Sequence, residues 1–345
     1  MDKRNHGIEL LRIVSMVYIV MFHIPTWGMV HINADMPVTL NYVILAVSYL
    51  GGGLGNCAFV LISGYLLIDK SFSAKRIIRL WFQVLCWSIF CGIMAFALGT
   101  HDVNVKTVLS MIFPITFNEY WYISTYMVIM LISPYLNKLL LTLTQKEFKR
   151  LIAICLMLFS VIPTLLGENG KWLTGTNNLA IFGVLYILGG YIRLFKVELV
   201  HRQKAKVIGV MMWGTLVMTI FAMKYISQNY KLGWDIFYFV WPMDRLPVII
   251  VAVWWFLIFK DSTIRLPKYI LTMASSVFGV YLFHIGRLRY YLLQNLFDDT
   301  PYYGGKIFLV LFVIEVLSIF GAGIVLDLLR KKLLEERAFV LLSRR

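Results

Sequence analysis

Charged side chains are scarce in this chain of 345 residues. Asp, Glu, Lys and Arg make up 15% of it and hydrophobic residues 60%, whereas about a quarter of a soluble domain is charged. A water-soluble globular protein is therefore excluded. Long polar segments are lacking too, because the loops between the apolar runs reach only about 20 residues, too few for a separate soluble domain.

Cysteine is nearly absent. Its four residues lie inside apolar runs, without a C-x-x-C pair or an accompanying histidine cluster: Cys57, Cys86, Cys91 and Cys155. The spacing predicts neither a disulfide framework nor a metal site, and we interpret these thiols as core residues. The first apolar run lacks the small-residue cleavage pattern of a signal peptide and carries charges into its start, so we expect it to be retained.

Long apolar runs are what the chain has in abundance. About 18 apolar residues in a helix cross the roughly 30 Å hydrocarbon core, where every backbone polar group must be paired. The sequence predicts an all-α polytopic membrane protein, a single domain over 1–345. It is a bundle of about ten transmembrane helices at residues 8–27, 44–68, 77–99, 120–140, 150–167, 177–195, 206–226, 236–259, 269–293 and 306–329.

Glycines interrupt the second of these spans, at Gly51, Gly52, Gly53 and Gly55. Gly weakens a helix interior, so we expect the outer end of this span to be a separate short helix or a re-entrant turn.

The distribution of Lys and Arg predicts the orientation, because these residues concentrate in cytoplasmic loops. Most of the 33 fall in alternate loops if both termini are cytoplasmic. The C-terminal cluster includes Arg337, Arg344 and Arg345, and the loops assigned outside hold few cations, among them Lys171 and Lys231. The net charge of +15 thus indicates topology and contact with anionic lipid rather than a nucleic-acid surface.

Ionisable side chains inside the predicted spans are functional candidates, because charge in a bilayer is costly. They are Glu9, Arg12, His23, Asp244, Arg245, His284, Arg287 and Glu315. Each has a structural alternative as helix–helix packing, and Glu9 with Arg12, at i and i+3, is also typical of a structural pair.

Two histidines stand out by depth. His23 and His284 each lie 16 residues from the inner end of a span, at Gly7 and Lys268, which is about 24 Å along a helix. Both imidazoles are expected in the outer half of the membrane. Histidine is the usual general base in enzymes, because its pKa is near neutral. The alternative is a ring satisfied by a neighbouring carbonyl group.

At the opposite face, Arg76 and Arg79 stand at i and i+3 where the third span begins. Two guanidinium groups and unpaired helix N–H groups suit a phosphate or pyrophosphate. An ordinary positive-inside flank is the alternative. The aromatic residues near the outer ends suit either sugar stacking or an interface belt; they are Trp121, Tyr122, Trp234 and Trp241.

Five motifs in order resemble the membrane-bound acyltransferase family 3 across essentially the whole chain. They are Arg4-x4-Glu9-x2-Arg12 followed by His23, G-x-x-x-F-x-L-I-S-G-Y-L at Gly55 to Leu66, R-x-x-R at Arg76 to Arg79, Trp121-Tyr-Ile, and Ser276-x-Phe-Gly-x-Tyr-Leu-Phe-His284. The chain departs from the common pattern in having Glu9 where Asp is frequent.

The resemblance implies an acetyl-CoA-dependent O-acyltransferase of the bacterial cytoplasmic membrane that modifies an envelope glycan or a lipid-linked saccharide, without a metal. His23 would be the base or would carry the acyl group, and these alternatives stay open. Glu9, His284 and Glu315 are the other candidate catalytic residues. The candidate coenzyme contacts are Arg76, Arg79, Arg12, Ser63 and Tyr65.

Two other functions are compatible with an apolar bundle. A transporter or flippase would also have intramembrane Arg and Glu, but corresponding pairs of Gly/Pro-broken spans are lacking. A lipid-linked sugar polymerase usually needs a long outer loop. A standard serine triad is disfavoured, because there is no G-x-S-x-G elbow and Ser63 lies near the inner end of its span.

Overall fold

The structure is a computed structural model that describes residues 4–167, 178–230 and 234–335. Every regular element in these ranges is helical. In chain order they are α1 (His6–Trp27), α2 (Leu40–Ser48), α3 (Leu50–Leu67), α4 (Ala74–Ala97), α5 (Val105–Ile112), α6 (Trp121–Thr142), α7 (Gln145–Leu166), α8 (Leu179–Leu194), α9 (Arg202–Tyr230), α10 (Leu246–Lys260), α11 (Lys268–Ile285) and α12 (Phe308–Arg330).

Eight segments of the described ranges are long and apolar enough to cross a membrane. They are α1, α2 with α3, α4, α6, α7, α9, α11, and α12 with the turn after it. Helices α8 and α10 are apolar but shorter, with 16 and 15 residues. These ten segments overlap the ten predicted spans, and the all-α, multi-pass membrane fold is confirmed. The predicted loop cations Lys171, Lys231, Arg337, Arg344 and Arg345 lie outside the described residues.

Boundaries differ from the prediction where proline or glycine interrupts an apolar run. The span predicted from residue 236 becomes an α-helix only at Leu246, with Pro247 in its first turn, a position that tolerates the missing N–H. The span predicted to residue 293 ends at Ile285, because Gly286 adopts an extended conformation. The outer end of span two is the separate short helix α2.

The chain forms two compact units. The first comprises Met1–Phe22, His31–Phe72 and Thr125–Leu266, and the second comprises His23–Val30, Ser73–Ser124 and Pro267–Arg345. Because the boundaries fall inside α1 and α6, these two helices contribute residues to both units.

In the first unit, glycines let neighbouring helices contact the backbone of α3. A Cβ on Gly51 would lie 1.9 Å from the carbonyl oxygen of Tyr18 in α1, and a Cβ on Gly64 would lie 2.1 Å from that of Tyr186 in α8. Small residues commonly allow such close approach between membrane helices. The glycine-rich run is therefore a packing surface within a continuous helix.

In the second unit, α11 packs against α4 and α12. A Cβ on Gly323 of α12 would lie 2.7 Å from the Cα atom of Val280. On α4, the Sγ atom of Cys91 lies 3.9 Å from the carbonyl oxygens of Leu282 and Phe283. Helices α4 and α12 thus both contact the stretch of α11 that leads to His284.

The four aromatic residues of the predicted outer ends have different surroundings. In the second unit, Tyr122 is buried with its ring centroid 6.0 Å from that of Tyr281, and Trp121 contacts Tyr122 at 5.6 Å. In the first unit, Trp241 packs on Phe22 and Trp234 stacks on Tyr238. Each of the four rings contacts at least one other aromatic ring of its own unit, and Trp234 is at the same time exposed.

Candidate active site

The two histidines singled out by their depth are in contact within the second unit. The Nδ1 atom of His23 in α1 lies 3.0 Å from the Nε2 atom of His284 in α11. Both rings are buried. Helix geometry brings them together, because each side chain lies in the last turns of its helix.

The hydrogen bonds determine which ring nitrogen carries each proton when the pair is neutral. The Nδ1 atom of His284 lies 2.6 Å from the carbonyl oxygen of Val280, which can only accept. His284 therefore carries its proton on Nδ1 and accepts at Nε2. His23 must then donate from Nδ1, so its lone pair is on Nε2. Nε2 of His23 is consequently the basic nitrogen of the pair.

Aromatic side chains surround the paired imidazoles in this unit. The Tyr281 ring meets His284 edge to face at 6.4 Å, and Tyr120 lies 6.3 Å from Tyr281. Trp87 of α4 packs against Phe283 at 5.9 Å. This packing restricts the rotamers of α11 around His284, so the histidine pair is held in position before any substrate binds.

A polar cavity of about 320 Å³ begins directly after His284. Its lining includes Ile285, Gly286, Arg287, Arg289 and Tyr290 from the segment after α11, and His101, Phe117, Asn118 and Glu119 from the loops on either side of α5. The cavity is accessible and has the size of a small-molecule site. The cavity lining therefore follows directly along the chain from His284, one member of the histidine pair.

Two arginines give the cavity its charge. Arg287 donates to Glu119 at 2.6 Å and also to the hydroxyl group of Ser110. The guanidinium group of Arg289 lies over the Trp27 ring at 4.5 Å and the Tyr290 ring at 4.7 Å. Arg289 also acts electrostatically on His23. Sequence analysis singled out Arg287 but missed Arg289, because the latter follows the end of α11 and looks like an ordinary loop cation.

The positive charge of the cavity affects the pKa of its loop histidine, His101. Burial lowers the pKa of His101, and the charges of Arg287 and Arg289 lower it further, while Glu119 and Asp102 act in the opposite direction. These effects together disfavour a positive charge on His101 relative to a free imidazole.

Arg76 and Arg79 lie in the first turns of α4, in the same unit as the histidine pair. Both are exposed, and the Ser73 side chain accepts from the backbone N–H of Arg76 as the N-cap. From Arg79 to Cys91, which contacts the turn before His284, α4 rises about 18 Å. Helix α4 thus extends from the two arginines to the turn of α11 that precedes His284.

Sequence analysis missed a buried carboxylate, Asp327 in α12. It accepts hydrogen bonds from Gln83 at 3.1 Å and Trp87 at 3.2 Å, both on α4. Arg330 donates to it at 2.9 Å, and Lys331 lies 3.3 Å from its other oxygen. The recognisable signal is a carboxylate in an apolar helix with cations at i+3 and i+4. Asp327 ties α12 to the face of α4 that also carries Arg79.

Glu315, a predicted catalytic residue, is buried in α12 of the second unit. Asp299, in the loop before α12, interacts with it electrostatically, and burial raises the pKa of Asp299. Both carboxyl oxygens of Glu315 are buried without a hydrogen-bond partner in the described part of the chain. Leaving such atoms unpaired is costly.

The remaining predicted residues belong to the first unit. Glu9 and Arg12 form an ion pair at 3.2 Å, as their spacing suggested. The Ser63 hydroxyl donates to the Phe59 carbonyl oxygen at 2.9 Å. The ring of Tyr65 lies beneath the guanidinium group of Arg193 at 5.3 Å.

No group of three or more His, Cys, Asp or Glu side chains in the described ranges is arranged to hold a metal ion. The paired imidazoles are groups that can accept or donate a proton, and the arginines of the cavity are groups that can bind an anion.

Comparison with known proteins agrees with this chemistry. No curated protein and no solved structure matches the chain. A family model described as an acyltransferase domain matches residues 5–327, nearly the whole chain, and so includes the histidine pair, the arginines of α4 and the cavity. The chain belongs to the acyltransferase 3 family of membrane proteins.

Proposed function

We propose that the protein transfers an acetyl group from cytoplasmic acetyl-CoA to a hydroxyl group of an envelope glycan, an exopolysaccharide or a lipid-linked saccharide. The observation that carries the proposal is the contact of His23 with His284 in the unit that also holds Arg76 and Arg79. Residues 1–345 act as one transmembrane domain in the cytoplasmic membrane of a bacterium. The Lys and Arg asymmetry supports cytoplasmic termini.

Arg76 and Arg79 bind the phosphates of the coenzyme in this proposal. Their position in the first turns of α4 supports it, because a helix N-terminus and two guanidinium groups favour phosphate. The pantetheine arm then extends the thioester about 18 Å along α4 towards the imidazoles. Arg12, Ser63 and Tyr65 are proposed as further contacts of the donor.

His23 acts as the general base through Nε2. It takes the proton of the acceptor hydroxyl group while the hydroxyl oxygen attacks the thioester carbonyl carbon. The C–S bond then breaks, and the coenzyme thiolate takes the proton back from Nε2. In the alternative route, Nε2 attacks the thioester carbonyl carbon, the C–S bond breaks, and the coenzyme leaves as the thiolate while Nε2 carries the acetyl group. The acceptor oxygen then attacks the acetyl carbon, the C–N bond breaks, and the hydroxyl proton goes to the thiolate.

His284 is a positioning residue in both routes. Its Nε2 accepts from Nδ1 of His23, which keeps the reactive lone pair on Nε2 of His23 and stabilises the ring when it is protonated. A carboxylate more often has this role. Glu9, a carboxylate candidate from the sequence, pairs with Arg12, whereas Nε2 of His284 lies 3.0 Å from Nδ1 of His23. We therefore propose that His284 orients the base, and Glu9 and Glu315 stay further candidate catalytic residues.

The test is acetyl transfer by the purified chain in lipid nanodiscs, with acetyl-labelled acetyl-CoA and cell-envelope glycan as acceptor. We expect label in an alkali-labile ester on the glycan and release of free coenzyme. Movement of glycan across vesicles without acetylation would instead support the transporter alternative and reject this proposal.

A further inference from the structure

The cavity beside His284 has more positive charge than its own residues neutralise. Its arginines are Arg287 and Arg289, and Glu119 is its carboxylate. Glu119 is bound to Arg287. Within residues 4–167, 178–230 and 234–335, Arg289 forms no ion pair, and its hydrogen bond reaches only the hydroxyl group of Tyr290 at 3.4 Å. The cavity is therefore complementary to an anion.

Arg289 is held in place without a carboxylate. Its guanidinium group lies against two rings, Trp27 and Tyr290. Trp27 is itself restrained, because Gln294 donates to its carbonyl oxygen at 2.8 Å. Of the five N–H groups of this guanidinium, one donates to the Tyr290 hydroxyl group, and the others can donate to a planar oxyanion. Cation–π contacts of this kind fix a side chain and retain its charge.

Arg287 offers a second donor. Its Nε atom is buried and has no hydrogen-bond partner in the described part of the chain. Ser110 and Glu119 hold the other end of the guanidinium group. A buried donor without a partner is costly, and an acceptor oxygen in the cavity would satisfy it.

We propose that the acceptor is an anionic saccharide, and that Arg289 and Nε of Arg287 bind its carboxylate or phosphodiester group while an adjacent hydroxyl group faces His23. This inference rests on the proposed function and adds to it the chemical class of the acceptor. The rings of Phe117 and Tyr290 in the cavity wall suit the apolar face of a pyranose.

Binding of defined probes tests the proposal separately from acyl transfer. The probes are an oligogalacturonate, a glycerol-phosphate oligomer and a neutral oligosaccharide of equal length. Each is titrated into the chain in nanodiscs, and thermal stabilisation is measured without acetyl-CoA. We expect at least one anionic probe to bind more tightly than the neutral one, and the better of the two distinguishes a carboxylate from a phosphodiester. Equal binding of all three probes would overturn the proposal.

Substitution of Arg289 localises the effect. Arg289→Gln should weaken binding of the preferred anionic probe by roughly 10- to 150-fold and leave binding of the neutral probe unchanged. Arg289→Lys, which keeps the charge but loses the planar fork, should lose only part of the affinity. Lys306→Gln removes an exposed cation elsewhere in the second unit and should leave the preference intact.

Two outcomes separate this inference from the proposed function. If the anionic preference depends on Arg289 but labelled acetyl-CoA is not consumed, the cavity assignment stands and the proposed reaction fails. If acetyl-CoA is consumed but Arg289→Gln and Lys306→Gln bind the anionic probe equally well, the reaction stands and the inference fails. If Arg289→Gln does not fold, two measurements still test the proposal. They are the preference of the unmodified protein for an anionic probe over the neutral one, and the partial loss of that affinity in Arg289→Lys.

Discussion

The Nε2 atom of His284 accepts a hydrogen bond from Nδ1 of His23, 3.0 Å away, while Nδ1 of His284 is bound to its own helix at Val280. The His284 ring is thus fixed by the backbone, and the His23 ring is oriented by His284. The two histidines therefore have different hydrogen-bonding roles, although they lie at similar depth in their helices.

His23→Ala should abolish acetyl transfer while the protein still inserts and folds. Loss of a general base typically costs 10²- to 10⁴-fold in rate. The measurement is label transfer to glycan, normalised to protein in nanodiscs. His284→Ala is the comparison: as a positioning residue its loss should cost less and should move the pH dependence of kcat. Near-normal acetylation by His23→Ala would remove the base from this mechanism.

Replacing both arginines of α4 with glutamine should raise the apparent KM for acetyl-CoA. Each hydrogen bond to a charged group contributes about 1.5 to 3 kcal/mol, or roughly 10- to 150-fold in affinity. Steady-state release of coenzyme measures the effect in Arg76→Gln/Arg79→Gln. Lys75→Gln changes a neighbouring exposed cation and should have a much smaller effect. An unchanged KM in the double variant would show that Arg76 and Arg79 do not bind the coenzyme and would support their interpretation as ordinary cytoplasmic loop cations.

The proposed orientation predicts which loops are accessible from outside. Cysteines introduced at Ser73 and Lys204 should resist an impermeant thiol reagent in intact cells, and one at Asn33 should react. Labelling is compared before and after permeabilisation, in a background with the four native cysteines replaced. Reaction of the Ser73 position from outside would reverse the topology.

Asp327→Ala should destabilise the second unit more than Asp327→Asn. Removal of the carboxylate leaves the donors of Gln83 and Trp87 unpaired and leaves Arg330 with Glu335 as its carboxylate partner. Breaking a buried ion pair costs about 3 to 5 kcal/mol, and the remaining partner places the expected loss at the lower end of this range. Asn retains an oxygen acceptor for the α4 side chains. Thermal unfolding in detergent measures both variants. Equal melting temperatures for Asp327→Ala and the unmodified protein would show that this network contributes little stability.

The adjacent residues Asp298 and Asp299 should affect stability with opposite dependence on pH. Burial raises the pKa of Asp299, so the stability it contributes is lost as the pH rises from its unfolded value of about 3.9. Asp299→Asn should therefore become more stable than the unmodified protein as the pH increases from about 4 towards 8.

Asp298 is the matched control for that series. Hydrogen bonds from Thr300 lower the pKa of Asp298, so its contribution is present above the unfolded pKa and is lost as the pH falls. Asp298→Asn should be less stable than the unmodified protein at neutral pH, and the difference should shrink towards pH 3. Parallel pH profiles for the two variants would contradict this assignment.

Residues in continuous helices were the predictable part of the fold and the site. Helix rise alone placed His23 and His284 at one level, and spacing alone suggested the pair of Glu9 with Arg12. Both inferences need only local geometry, which the periodicity of a membrane helix largely determines.

The remaining features depend on contacts between elements distant in sequence. Nothing near Asp327 indicates that Gln83 and Trp87 will donate to it. Arg289 lies in the cavity wall, after α11 has stopped at Gly286, where a Cβ would lie 2.8 Å from the hydroxyl oxygen of Tyr120. Such a break depends on the packing of another segment, which hydropathy does not describe.

In the proposed reaction, the rise of α4 from Arg79 to Cys91 sets the length of donor that the second unit can use. A thioester held by the arginines would reach the imidazoles only if its arm spans about 18 Å. Selection of the donor would then depend on length more than on shape. Acetyl phosphate, which is too short, should not replace acetyl-CoA. An acetylated pantetheine without its nucleotide should react with a normal kcat but need a much higher concentration, because it lacks the phosphates that Arg76 and Arg79 would hold.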